Sequence, residues 1–264
     1  MKKLWNSFKI AFAMYSKIPM PQSEWTEENM SYAMCFFPWV GAVTGGISYL
    51  VVLFADLLKE REISFGSLFF PAVLTVLPVL ISGGIHMDGF LDTQDALSSY
   101  QPKERRLEIL KDSHAGAFAI ISCAVYLLFY VGVYSSLSWE SIKVIALGFV
   151  LSRILSGLAV VTFPQARKNG MAATFSQNAA KKATKAVLIL YLIILGMIIL
   201  AVGGWRGLVC LITAGFMFLY YYRMSMDKFG GITGDLAGYF LQMCELLMAA
   251  AVVVSDVVIK SIIG

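Results

Sequence analysis

The chain has 264 residues, of which 58% are hydrophobic and only 14% are charged. Because soluble domains carry about 25% charged residues, this composition excludes an ordinary soluble protein and indicates an integral membrane protein. A net charge of +4 is too small to indicate a nucleic-acid-binding protein. No repeat or composition shift divides the chain, and we expect one membrane-embedded domain over residues 1–264.

The amino-terminal stretch, residues 1–20, is basic and amphipathic. Its polar residues interrupt the apolar positions, and it lacks a small-residue cleavage site. These features favour an amphipathic helix that lies in the membrane interface and remains attached to the protein. A cleaved signal peptide is the less favoured alternative.

Long apolar runs follow, each sufficient to cross a hydrocarbon core of about 30 Å. Hydropathy therefore predicts an all-α, polytopic membrane bundle with about seven transmembrane helices. The predicted spans lie near residues 33–58, 65–83, 114–137, 141–163, 186–203, 205–222 and 236–259. The four cysteines stand singly within apolar runs, which is typical of small core residues.

Lysine and arginine residues concentrate at the amino terminus and in the loops after the second, fourth and sixth predicted spans. Cytoplasmic loops of membrane proteins carry this excess, so the pattern predicts a cytoplasmic amino terminus. An acidic loop, a basic loop and a glycine-rich loop then share the cytoplasmic face. We expect a functional site there.

The acidic loop contains Asp88, Asp92 and Asp95. Their spacing places all three carboxylates on one stripe of a helix. Like charges this close repel unless a cation lies between them, and carboxylate oxygens suit Mg²⁺ or Mn²⁺. The pattern thus predicts a metal site, although a solvated helix start with acids favourable to the helix dipole is the simpler alternative.

The neighbours of this stripe offer further candidates. Gly83 and Gly84 are expected to break the second span, and Gly89 to let a bulky ligand approach the backbone. His86 is a candidate metal ligand, proton carrier or phosphate donor, or else a structural residue. Asp112 precedes the third predicted span, where it is a candidate helix cap.

Two arginines are candidates for binding an anion. Arg167 lies in the basic loop beside Lys168 and Asn169, and its guanidinium group can hold a phosphate with two hydrogen bonds. Arg153 falls inside the fourth predicted span. Since an unpaired cation there is costly, we expect it to face either a carboxylate partner or a ligand anion.

The last predicted span contains Asp235 at its mouth and Glu245 ten residues further along. Steps of 100° per residue place them roughly 80° apart, so both can face the bundle interior. An acidic residue inside a membrane is a functional candidate. The pair predicts either a second metal ligand or a general base.

In order and spacing, several motifs resemble the cobalamin synthase (CobS) family over nearly the whole chain. The HxDGxxDxxD pattern followed by a distant TGD is the most specific part. The matching segments are YSKIPMP, FFPWVGAVTGG, GGIHMDGFLDTQDAL, RRLEILKDSHAG, LSRILSG, ARKNGMA and GGITGDLAGYFLQMCE.

The resemblance implies a multi-pass enzyme of the cytoplasmic (inner) membrane that depends on Mg²⁺. Such an enzyme is an adenosylcobinamide-GDP ribazoletransferase, a phosphotransferase. It joins adenosylcobinamide-GDP to α-ribazole or α-ribazole 5'-phosphate, releases GMP, and forms adenosylcobalamin or its phosphate. The implied partners are these substrates and the lipid bilayer, with a homo-oligomer left open.

Matching motif positions give each candidate residue an expected role. The expected metal ligands are Asp88, Asp92, Asp95, Asp112 and Glu245. The expected catalytic residues are Asp95, Asp235 and His86. The expected substrate-binding residues are Arg153, Arg167, Gly89, Thr233 and Gly234. The chain departs from the family pattern at Ala96, His114 and Gln242, where relatives commonly have Gly, Arg and Glu.

A membrane transporter of cations or metabolites is the main competing hypothesis, since acids inside the membrane also mark ion paths. The clustering of acids at one face and the lack of paired inverted halves argue against it. A scaffold without chemistry is a third alternative.

Overall fold

A computed structural model describes residues 2–112, 114–167 and 170–263. Within these ranges the regular structure is helical, apart from an isolated bridge between Gln165 and Ile232. The helices are α1 (Lys2–Tyr15), α2 (Glu27–Met30), α3 (Ala33–Glu60), α4 (Phe69–Ser82), α5 (Ile85–Ser98), α6 (Lys103–Ile109), α7 (Ala117–Ser135), α8 (Trp139–Thr162), α9 (Met171–Asn178), α10 (Lys181–Gly203), α11 (Trp205–Phe229) and α12 (Gly234–Ile263).

Six of these helices are long and apolar enough to cross a membrane, namely α3, α7, α8, α10, α11 and α12. The predicted polytopic helical bundle is thereby confirmed. The second predicted span, over 65–83, differs from the prediction. It contains the 14-residue helix α4, about 21 Å long, and α4 and α5 qualify as a seventh span only together, although they are bent by 97°.

The bend lies at the predicted glycine pair. Gly83 ends α4 with φ of 65°, and Gly84 precedes α5 with φ of 84°. Residues with a side chain rarely adopt this left-handed conformation, whereas glycine does so without a steric cost. The two glycines therefore turn the chain away from the direction of α4 just before the acidic stripe.

Helix α8 forms the centre of the bundle, and most of its residues are buried. It packs against α3, α10 and α12. Gly41 and Gly45 of α3 lie against the α8 backbone, where an added Cβ atom would collide with the carbonyl groups of Phe149 and Ala146. Small residues thus allow the close helix contact on which a membrane bundle depends.

Segments from distant parts of the chain meet at one end of the bundle. Ile232 donates a backbone hydrogen bond to Pro164 (2.9 Å), and Ala166 donates one to Ile232 (2.9 Å). The Nζ atom of Lys103 donates to the carbonyl of Met226 (3.3 Å). The predicted convergence of the acidic, basic and glycine-rich loops is confirmed. That this end faces the cytoplasm stays a prediction.

Helix α1 packs against α3 at the same end. It buries Ile10, Ala11 and Phe12, whereas Leu4 and Trp5 are exposed. The predicted amphipathic helix is present within residues 1–20. Its placement in the membrane interface stays a prediction, which the exposed tryptophan suits.

Candidate active site

Helix α5 carries the acidic stripe. Asp88, Asp92 and Asp95 lie on this one helix, as their spacing predicts. Asp88 is exposed, while Asp92 and Asp95 are half-buried. The helix thus presents three carboxylates over two turns at the loop end of the bundle.

Four other carboxylates act on Asp92. The partial burial of Asp92 disfavours its negative charge, and the charges of Asp88, Asp235, Asp95 and Asp112 oppose it further. Asp88 and Asp95 lie on α5 together with Asp92, whereas Asp112 lies in the loop before α7 and Asp235 at the start of α12. The site therefore has a strongly negative potential, which favours binding of a cation.

None of the ion pairs between described residues involves Asp88, Asp92, Asp95 or Asp235. No group of three or more His, Cys, Asp or Glu side chains in the same residues is arranged to hold a metal ion by itself. A divalent ion here would therefore need further oxygen ligands. Mg²⁺ is commonly bound in this way, by one or two carboxylates together with water and substrate phosphate oxygens.

A close helix crossing brings Asp235 to the stripe. A Cβ atom added to Gly89 would lie 2.7 Å from the carbonyl oxygen of Asp235, and one added to Gly238 would lie 2.9 Å from that of His86. The two glycines thus let α5 and α12 touch backbone to backbone. The space beside Gly89 is filled by α12, which corrects the expectation that a ligand approaches there.

Asp95 is bound to the beginning of α7. Its Oδ2 atom accepts a hydrogen bond from the backbone N–H of Gly116 (2.6 Å), and its Oδ1 atom accepts one from Ala119 (2.8 Å). Gly116, which precedes α7, has no side chain to cap the helix. Asp95 supplies this cap from 21 residues away in sequence. The expectation that Asp112 caps the third span is therefore wrong.

Asp112 lies instead in the exposed loop before α7. Its Oδ1 atom accepts a hydrogen bond from the backbone N–H of His114 (3.0 Å) and lies 2.7 Å from the Nδ1 atom of the same residue. These contacts hold the pKa of Asp112 below its ordinary value, first through the backbone N–H and then through the imidazole. An ionised Asp112 contributes to the potential at Asp92, and its role as a metal ligand stays a prediction.

Glu245 lies deeper in the bundle and is paired with Arg153. The Nη1 atom of Arg153 donates to Oε1 of Glu245, and the hydroxyl of Ser152 donates to the same oxygen (2.8 Å). Both charged side chains are at most 3% exposed. Ten residues of helix separate Glu245 from Asp235 by about 15 Å.

This pairing decides between the two expectations for Arg153. The guanidinium group faces a carboxylate partner, because a buried cation without one would be very unfavourable. Two expected roles are corrected accordingly. Glu245 is bound to Arg153 and Ser152 and lies far from the acids of the loop end, so it does not join the metal site. Arg153 does not line either cavity at the loop end.

Two cavities at the loop end share Asp235. A polar cavity of about 280 Å³ lies between the 163–167 loop, α9 and the start of α12. A narrower cavity of about 70 Å³ lies between α1, α3, α5 and α12. The polar residues lining the first are Gln165, Arg167, Thr233 and Asp235, and those lining the second are Tyr15, His86, Asp88, Ser156 and Asp235.

Arg167 is the cation of the polar cavity. It donates a hydrogen bond to the carbonyl of Leu107 and lies near enough to stabilise the negative charge of Asp235. The hydroxyl of Thr233 lies 3.3 Å from Oδ2 of Asp235 and accepts from the backbone N–H of Leu236 (3.2 Å). The polar cavity thus brings together three of the expected substrate-binding residues, Arg167, Thr233 and Gly234. Lys168 and Asn169 lie outside the described residues.

His86 lies on the wall of the narrower cavity and is only 4% exposed. Its Nε2 atom has no hydrogen-bond partner among the described residues. The rings of Tyr15 and Phe37 pack against the imidazole from one side. Tyr15 is a site residue that the sequence did not reveal, because nothing in a short amphipathic helix indicates which ring meets a histidine 71 positions later.

These features define a polytopic helical membrane protein with an acidic site beside a polar cavity that contains Arg167. Such an arrangement is suited to a divalent cation and a phosphate-bearing ligand. A sequence model of the Cobalamin-5-phosphate synthase family matches residues 7–253. The chain belongs to this family.

Curated relatives agree over nearly the full length. A protein of Lachnoclostridium phytofermentans named adenosylcobinamide-GDP ribazoletransferase is 52% identical over 96% of this chain and 95% of its own length. Proteins of the same name from Desulfitobacterium hafniense and Clostridium perfringens are 33% and 27% identical, over 94% and 93% of this chain and 94% and 96% of their own lengths. No solved structure gives a significant match.

Proposed function

We propose that this protein is an adenosylcobinamide-GDP ribazoletransferase. It transfers the cobinamide phosphate of adenosylcobinamide-GDP to a ribose hydroxyl of α-ribazole or α-ribazole 5'-phosphate, and GMP leaves. Family membership and the name shared by its relatives support this activity. The observation that carries it is the group of carboxylates beside the cavity of Arg167, none of which forms an ion pair with Lys or Arg among the described residues.

We propose Mg²⁺ as the cofactor, held by Asp88 and Asp92 together with Asp112. These carboxylates fit a hard cation, since they repel one another and none is paired with Lys or Arg among the described residues. When bound, the ion would neutralise charge on the pyrophosphate of the substrate. Asp95 keeps free lone pairs beside its two backbone bonds, so its predicted contact with the metal also remains a proposal.

The other residues of the site orient the substrates and move a proton. Arg167 is placed to bind phosphate oxygens and to stabilise the charge that develops as GMP leaves. Asp235 faces both cavities and is the better placed of the two candidate bases, because Asp95 is held by α7. Phosphoryl transfer depends mainly on such positioning and charge stabilisation.

His86 is proposed as a catalytic residue that contacts the substrate from the narrower cavity. Its unpartnered Nε2 atom is available either to donate to a phosphate oxygen or to accept a proton. We further propose that the protein resides in the cytoplasmic membrane with this end toward the cytoplasm, in agreement with the distribution of Lys and Arg.

The activity can be tested with purified protein in lipid nanodiscs. Adenosylcobinamide-GDP and α-ribazole 5'-phosphate are supplied with Mg²⁺, and GMP and the corrinoid product are quantified by chromatography. We expect equal amounts of both products and no release after excess chelator. No release with Mg²⁺ from correctly folded protein would contradict the proposed function, and substrate uptake into vesicles without GMP would favour transport.

A further inference from the structure

Tyr15, the last residue of α1, lies at the centre of an aromatic cluster. Its ring centroid is 4.3 Å from that of Phe37 and 6.0 Å from that of Phe175. It also lies 6.0 Å from the ring of His86, with the two planes only 21° apart. These contacts connect α1 with α3, α5 and α9. The two separations of 6.0 Å lie within the range of favourable aromatic packing, and the rings of Tyr15 and Phe37 are slightly closer.

The chain around Tyr15 is fixed by hydrogen bonds. Ser16 donates from both its backbone N–H (2.9 Å) and its hydroxyl (2.7 Å) to the carbonyl of Phe12. The backbone N–H of Lys17 donates to Ile81 near the end of α4 (2.7 Å), and the Lys17 side chain packs against Gly83. The end of α1 is thus joined to the bend from which α5 and His86 begin.

The imidazole of His86 makes no hydrogen bond to another described residue. A catalytic histidine is usually oriented by a hydrogen bond to its second ring nitrogen. In its place His86 contacts the ring of Tyr15, which is almost parallel to it, and that of Phe37 at an interplanar angle of 60°. These two rings are only 4.3 Å apart and lie on the same side of the imidazole. Packing against these two rings is therefore available to orient the Nε2 atom where a hydrogen bond is not.

We propose that Tyr15 is a positioning residue of the active site, which holds the imidazole of His86 against the narrower cavity. The amphipathic amino-terminal helix is then part of the catalytic site and not only a membrane contact. This inference rests on the proposed function of His86. It assigns the role to the aromatic ring of Tyr15, since the contacts are ring contacts.

Steady-state kinetics of GMP release test the inference. Tyr15→Leu is expected to lower kcat about two- to tenfold with little change in KM, because the imidazole loses the aromatic ring that packs against it. Tyr15→Phe should retain most of the activity. Tyr49→Leu is the matched control, because Tyr49 packs against Trp139 (5.2 Å) at the other end of α3. Equal loss in the Phe and Leu variants would overturn a role for the ring.

A double-mutant cycle with His86→Ala distinguishes the proposed role of His86 from the proposed role of Tyr15. If Tyr15 acts through His86, Tyr15→Leu has no further effect once His86 is absent. Full activity in His86→Ala alone would refute the proposed role of His86. Loss in His86→Ala together with an independent, multiplicative loss from Tyr15→Leu would refute only the inference about Tyr15.

Chemical modification provides a readout that does not depend on activity. The chain has only two histidines, and His114 is exposed. Diethyl pyrocarbonate, followed by peptide mass spectrometry, should label His86 much more slowly than His114 in the wild type. In Tyr15→Leu the rate at His86 should rise severalfold while that at His114 is unchanged. Unchanged protection of His86 in folded Tyr15→Leu would contradict the inference.

Discussion

The three acidic residues along α12 have very different neighbours. Asp235, at the loop end, faces two cavities and the carboxylates of α5. Glu245, in the middle, is bound to Arg153. Asp256, near the other end, accepts from Nε of Arg206 (2.8 Å) and from Lys260 (3.0 Å). Among the described residues, this helix thus carries one acid without an ion pair and two acids with ion pairs.

The neighbours of these acids distinguish the carboxylates with structural ion pairs from those of the proposed metal site. A buried or membrane-embedded acid is stable when a cation and hydrogen bonds neutralise it, as they do at Glu245 and Asp256. At the loop end, acids are instead placed near other acids, which costs free energy of folding in the absence of a ligand. Such an arrangement is expected where a site is built to bind a cation.

Asp92→Asn should produce the largest loss of activity. It removes the carboxylate on which the charges of the other site acids converge, so we expect GMP release to fall at least 10²- to 10³-fold. The protein should still insert and elute as a folded species, since Asp92 has no structural ion pair among the described residues. Near-normal turnover of this variant would contradict the assignment of Asp92 to the proposed metal site.

Glu245→Gln should have the largest effect on stability. It leaves Arg153 buried without its countercharge, which typically costs about 3–5 kcal/mol. The apparent melting temperature in detergent measures this loss. Replacing both partners, as Arg153→Met with Glu245→Leu, should recover much of it. If Glu245→Gln melts like the wild type but has lost activity, then Glu245 belongs to the functional group of acids.

Gly89→Ala tests the close crossing of α5 and α12, which brings Asp235 to the acidic stripe. The added methyl group would lie 2.7 Å from the Asp235 carbonyl oxygen and push α5 away from α12. Overpacking of this kind costs about 1–3 kcal/mol, and activity should fall with it. Gly132→Ala is the matched control, because no described residue beyond the adjacent backbone of its own helix lies within 4 Å of the position of its added Cβ. Equal behaviour of the two variants would contradict a tight crossing.

Asp95→Asn should have the smallest effect of the four. The amide can accept a hydrogen bond through one oxygen only, so the start of α7 loses one of its two bonds to this side chain. We expect a loss of about 1 kcal/mol, as for other helix caps. Activity should fall less than in Asp92→Asn. A loss of turnover equal to that of Asp92→Asn, with an unchanged melting temperature, would place Asp95 among the metal ligands.

Local sequence patterns predicted much of this architecture. Hydropathy located the long spans, the glycine pair at 83–84 predicted the bend, and helical spacing predicted the stripe of Asp88, Asp92 and Asp95. Each of these features depends on residues close together in sequence. Local physical chemistry is therefore sufficient to define them.

Contacts between distant segments could not be predicted in the same way. The cap that Asp95 provides for α7, the pairing of Arg153 with Glu245 and the packing of Tyr15 on His86 each depend on how helices are arranged in space. A sequence signal existed for two of them. Gly116 opens a helix without its own cap, and an arginine inside a span requires a partner.

We propose above that the acids of α5 bind a divalent ion together with the substrate. Mn²⁺ binding, followed by electron paramagnetic resonance of the free ion in the presence of adenosylcobinamide-GDP, tests it directly. Wild-type protein in nanodiscs should bind Mn²⁺, and Asp92→Asn should bind it at least about tenfold more weakly. Asp227→Asn, which changes an exposed acid at the end of α11, should bind like the wild type. Equal binding by Asp92→Asn and the wild type would contradict the account.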